Sequence, residues 1–77
     1  MVLIKDYVEV QLESGLSKYR VAKNLGVQPI MIDHYLTKKV RTPSFRVCKT
    51  IYDTSGVVIF PYSEEELEQP EQGLIDL

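Results

Sequence analysis

Apolar residues recur at three- and four-residue spacing along most of this chain, and that rhythm predicts helices. Ile4, Tyr7, Val8 and Leu12 share one helical face within residues 3–14, although Val8 to Glu13 also alternates in the manner of a half-buried strand. The helical assignment is preferred because Gly15 follows as a stop signal and the next two helices need an apolar neighbour to cover them. Val21, Ala22 and Leu25 mark a second helix over about 18–24, and Ile32, Tyr35 and Leu36 a third over about 29–37. Ser17 is placed to cap the second helix, Gly26 to leave it in a left-handed conformation, and Pro29 to open the third after Gln28. Phe45, Val47, Cys48, Ile51 and Tyr52 predict a fourth helix starting at Pro43 with Thr42 as its cap. Asp53-Thr54-Ser55-Gly56 reads as a turn, and Val57-Val58-Ile59-Phe60 as a short strand ending at Pro61. One strand cannot pair its own backbone, so its partner is either the extreme N-terminus or the same segment of a second subunit.

The expected fold is therefore mainly α: a compact four-helix domain over residues 1–63 with a short C-terminal β-strand. Residues 64–77 are read as an acidic, disordered tail, in which Leu74-Ile75-Asp76-Leu77 is an apolar stretch able to dock on a partner. An ordinary helical hairpin is the alternative to a helix-turn-helix over residues 16–43. Small size, Gly26 and the Gln-Pro helix start favour the latter.

Net charge is −2, which looks unsuited to nucleic acid until its distribution is read. All nine Lys and Arg lie between Lys5 and Lys49, and only five acids share residues 1–63, leaving that part at +4. The last fourteen residues carry six acids and no base. Such asymmetry is an interaction signature, with a solvated solubility tail as the plainer reading. Cys48 is the only cysteine, so neither a disulfide framework nor a cysteine metal site is expected; helical spacing makes it a buried, reduced thiol. No apolar run reaches membrane-spanning length, and no signal peptide is visible, which points to a soluble protein of the cytoplasm. No paired carboxylates, nucleophile–base set, phosphate-cradling glycine run or metal spacing is found, so neither an enzyme nor a cofactor is expected.

The run Val21 to Val27 (VAKNLGV), the helix after it and the Lys-rich loop closing at Pro43 resemble the Cro/CI-like family of phage and bacterial repressors, especially its short Cro-type members. Phe45 to Phe60 looks like the helix and Gly-hydrophobic segment that follow in that family. The resemblance spans roughly residues 3–65. It implies duplex DNA as partner, with the third helix in the major groove of an operator and a homodimer as the working form. The side chains then facing bases are Gln28, Pro29, Ile30, Asp33 and His34, with Ile30 and Met31 limited to thymine methyl groups. Ser17, Lys18, Arg20 and Lys23 on the second helix, with Lys38, Lys39 and Arg41 after the third, would meet phosphates. Family members usually carry polar residues where this chain has Pro29, Ile30 and Met31. A second function fits that apolar patch: a phage-encoded factor that binds bacterial RNA polymerase and alters initiation or termination. His34 has no second ligand to support a metal or catalytic role.

Overall fold

The computed structural model describes residues 1–68 and places five helices along them: α1 (Ile4–Glu13), α2 (Lys18–Leu25), α3 (Pro29–Leu36), α4 (Phe45–Ser55) and α5 (Glu64–Leu67). Expectations about residues 69–77, including the disordered tail and the docking of Leu74 to Leu77, lie outside the described residues. No helix is long and apolar enough to cross a membrane among the described residues.

The core is one cluster built from every helix. Ile4 and Val8 of α1, Val21, Ala22 and Leu25 of α2, Ile32 and Tyr35 of α3, and Val47, Cys48 and Ile51 of α4 are buried together with Ile59 and Leu67. Each fully buried Val, Leu or Ile side chain contributes roughly 1.5–3 kcal/mol relative to exposure. The strand-like alternation in residues 8–13 is overridden because Ile4 and Val8 lie one helical turn apart and meet the same neighbours.

Local chemistry fixes the α2–α3 corner. The Ser17 hydroxyl accepts from the Arg20 amide at 3.1 Å, supplying a partner for a donor stranded in the first turn. Gly26 closes α2 at φ 74°, a conformation that glycine alone adopts without steric penalty. Pro29 is the first residue of α3, where its missing N–H costs nothing.

Four expectations need correction. The fourth helix is capped by Ser44, whose hydroxyl accepts from the Val47 amide at 3.4 Å, and it starts at Phe45; Pro43 is buried ahead of it. That helix also continues through the expected turn to Ser55, with Gly56 as its left-handed cap at φ 75°. The hydroxyls of Thr54 and Ser55 donate to the carbonyls of Thr50 and Ile51 at 2.9 and 2.7 Å, so small polar residues extend the helix instead of breaking it. Third, the segment 57–60 forms no strand. It makes a single parallel bridge between Ile59 and Val2, in which the Val2 N–H donates to the Val58 carbonyl and the Phe60 N–H to the Val2 carbonyl, both at 2.8 Å. Helix α1 begins two residues after Val2, and the Tyr62 N–H turns back to the Ile59 carbonyl at 3.1 Å, so the ladder does not lengthen.

The fourth correction concerns the acidic segment. Residues 64–67 are helical, and Leu67 is fully buried. Ser63 and Glu66 form a reciprocal capping box: the Ser63 hydroxyl accepts from the Glu66 amide at 3.2 Å, and the Glu66 carboxylate from the Ser63 amide at 2.8 Å. Three further contacts hold α5 and its approach on α4. Lys49 Nζ donates to the Leu67 carbonyl at 2.7 Å. The Tyr52 hydroxyl lies 3.1 Å from a carboxylate oxygen of both Glu64 and Glu68. The rings of Phe45 and Tyr62 meet edge to face at 5.2 Å.

Candidate nucleic-acid interface

Helix α3 is eight residues long, hence about 12 Å from end to end. Its inner face is committed to the core through Ile32 and Tyr35, with Leu36 half-buried beside them. The outer face holds the residues expected to read bases. Gln28, Pro29 and Ile30 are exposed, whereas Asp33 and His34 are half-buried. The Gln28 side chain makes no capping bond, which leaves its amide uncommitted. Met31 departs from expectation: it is half-buried and packs against the core. The apolar patch therefore rests on Ile30, which is 55% exposed.

The expected phosphate set divides into paired and unpaired members. Lys18 Nζ meets Asp33 Oδ1 at 2.7 Å, joining α2 to α3 across the outer surface. One expected phosphate contact thus neutralises one expected base contact. Elsewhere Lys5 is paired with Glu9 at 2.6 Å and Lys49 with Asp53 at 3.2 Å. Arg20, Lys23, Lys38, Lys39 and Arg41 are exposed and have no anionic partner among the described residues. All five were expected to meet phosphates. Ser17 also belonged to that set, and its hydroxyl is engaged as the α2 cap.

Two concavities show where these cations stand. A groove at the α2–α3 corner is lined by Tyr19, Ala22, Lys23, Val27, Gln28 and Pro29, placing Lys23 at the start of α3. Lys38 and Arg41 line a separate cavity with Tyr35, near the end of α3. Unpaired positive charge therefore stands at both ends of one short helix. Lys38 adopts φ 64°, an uncommon left-handed conformation for a residue with a side chain, which turns the chain sharply out of α3.

Tyr19 is a residue that the hydrophobic pattern misses. It sits on the polar side of α2, 68% exposed, and shares the corner groove with Pro29. Its signal was an aromatic flanked by Lys18 and Arg20, off the apolar stripe. Among the described residues no group of three or more His, Cys, Asp or Glu side chains could hold a metal ion. The Cys48 thiol is fully buried, and burial pushes it up to about 11, so it stays protonated and inert at neutral pH.

No protein-family model, curated protein or solved structure matches this chain.

Proposed function

We propose that this protein is a small transcription regulator of phage type that binds duplex DNA through a helix-turn-helix formed by α2 and α3. The observation that carries the reading is the set of cations without an anionic partner among the described residues at the two ends of α3: Lys23 at its start, and Lys38, Lys39 and Arg41 after it. Unpaired surface charge costs little in water and releases counterions when it meets phosphate. The span of α3 is comparable to the roughly 12 Å width of the major groove, so cations at its two ends suit the phosphates on either rim. Gln28, with an uncommitted amide at the first exposed position, is suited to bidentate pairing with adenine. A dimer reading two half-sites about one helical turn apart is the expected working form. The Cro/CI-like resemblance of Val21 to Val27 and the loop closing at Pro43 points the same way.

A second reading is favoured by Ile30 and Tyr19, which are 55% and 68% exposed on either side of Pro29. Bulky apolar side chains around the corner suit a pocket on another protein, and bacterial RNA polymerase is the partner this reading names. The ion pair with Lys18 also makes Asp33 a poorer reader of cytosine, since base contact requires breaking that pair.

Replacing Ile30 with Ser separates the two. It removes exposed apolar area and no charge, so sequence-independent affinity for duplex DNA should hold. On the DNA reading, footprinting of the variant loses operator preference by about 1–3 kcal/mol per lost contact. On the second, nuclease-treated pull-downs lose polymerase subunits instead, because apolar anchors dominate protein interfaces. If neither assay responds, Ile30 belongs to no interface.

A further inference from the structure

At the end of α3 remote from the corner groove, a cavity of about 300 Å³ opens between the N-terminal segment, the start of α1 and the basic loop. Its volume is at the lower end of the range occupied by small-molecule sites. Ile4 and Tyr35 line it, and so do Leu3 and Phe60, which remain 48% and 42% exposed. Two cations complete the lining with no anionic partner among the described residues, Lys38 and Arg41; Lys5 is also there but is held by Glu9.

Tyr35, one of the residues lining the cavity, adds a second feature. Tyr35 is only 2% exposed, yet its hydroxyl has no hydrogen-bond partner among the described residues. Buried phenol hydroxyls usually find a partner, because an unsatisfied one forfeits its hydration. Burial and the nearby Cys48 hold the Tyr35 proton in place, so the group is a donor throughout the physiological range. An apolar lining, one unsatisfied buried donor and two unpaired cations together specify a ligand with an aromatic or aliphatic body and one anionic group.

We propose that this cavity binds a small aromatic anion, an aryl phosphate or aryl carboxylate. Its ring lies between Leu3 and Phe60, and its charged oxygens accept from Lys38, Arg41 and Tyr35. Phe60 offers a face or edge for stacking, and an anion there replaces solvent as the partner of both cations. The inference stands apart from the DNA reading, although Lys38 and Arg41 serve both, and its test contains no nucleic acid.

The experiment titrates the full chain with phenyl phosphate and with benzoate, following backbone amide resonances. Inorganic phosphate and benzyl alcohol, each carrying half of the required chemistry, are titrated at the same ionic strength. One of the two aromatic anions is expected to saturate shifts at Leu3, Tyr35 and Phe60 at least tenfold more tightly than either half-ligand. Lys38→Gly and Arg41→Gln should each weaken it about tenfold, the value of one charge-assisted hydrogen bond. Glycine suits φ 64°, so the first substitution removes the charge without disturbing the backbone. Tyr35→Phe should weaken binding several-fold without lowering the melting temperature, because the lost hydroxyl had no partner. Binding of benzyl alcohol as tight as that of the anions overturns the proposal. So does undiminished affinity in both charge variants. If neither aromatic anion saturates, the cavity is no ligand site.

Discussion

Cys48 and Tyr52 hold their protons most firmly against alkali, with Tyr35 and Lys5 shifted in the same direction. Folded Cys48 keeps its proton up to about 11, against an ordinary value of 9.0, because the core disfavours a thiolate. Tyr52 is pushed up to about 12 from 10.0 by partial burial and by its carboxylate neighbours Glu68 and Glu64. Both folded values exceed the unfolded ones, so unfolding in alkali releases protons, and stability falls as pH rises. Resistance to urea should be level up to about pH 9, then decline as pH passes through the interval from 9 to 12. Cys48→Ala should flatten the first part of that decline, and Tyr52→Phe the last. A urea midpoint unchanged from pH 8 to pH 11 would mean that neither proton is held more tightly in the folded state. Below pH 9, the same burial should keep Cys48 unreactive toward thiol reagents until the chain unfolds.

Among the elements, α5 bears the clearest structural consequence. A four-residue helix has no stability of its own. Its existence depends on Leu67 entering the core, Lys49 meeting the Leu67 carbonyl, and the capping box at Ser63. Leu67→Ala should therefore cost about 2–5 kcal/mol, which for a domain of this size lowers the melting temperature by roughly 8 °C or more. Glu65→Gln, on the exposed side of the same helix, serves as the control and should leave it unchanged. A loss below about 1 kcal/mol for the leucine variant would mean that α5 is not docked in solution. This element also shows where the sequence was misleading. Three consecutive glutamates suggest a solvated tail by composition, yet in the first turn of a helix they face the positive end of its dipole. Ser63 followed three residues later by Glu66 was the signal available, and charge density masked it. The α2–α3 corner was legible because Ser17, Gly26 and Pro29 each act on the backbone nearest to them. The Val57–Phe60 segment was not, since strand propensity says nothing about how much partner the fold leaves for pairing. Met31 was lost for a related reason: the local pattern leaves open which way a short helix rolls after Pro29. The five unpaired cations were named from sequence, but the Lys18–Asp33 pair depends on two helices crossing and has no local signature.

For the molecule as a whole, electrostatics turns on that ion pair. Residues 1–63 carry +4, and Asp33 is the sole acid between Glu13 and Asp53. An exposed pair of this kind contributes roughly 0–1 kcal/mol to stability, so breaking it should barely affect folding. Its effect on DNA should be larger. Asp33→Asn removes a negative charge from the proposed face and releases Lys18 for phosphate. Non-specific duplex affinity should then rise, and the slope of log affinity against log salt should steepen by about one unit. Lys18→Ala, by contrast, should change that slope less than Arg20→Ala or Lys39→Ala, since its charge is already spoken for. Equal changes in all three alanine variants would show that the pair opens at no cost when DNA arrives.

The bridge between Val2 and Ile59 has a mechanical consequence. The two segments run parallel, so a force drawing residue 1 one way and residue 68 the other slides one segment along its neighbour. Both hydrogen bonds then carry the load together, in shear, instead of opening in turn like a zip. Everything from α1 to α4 lies between those two points and is shielded until the clasp gives way. A machine that degrades proteins by hauling on the C-terminal side would first peel off α5 and then stall briefly at this clasp. Beyond it, the remaining helices would pay out in one run.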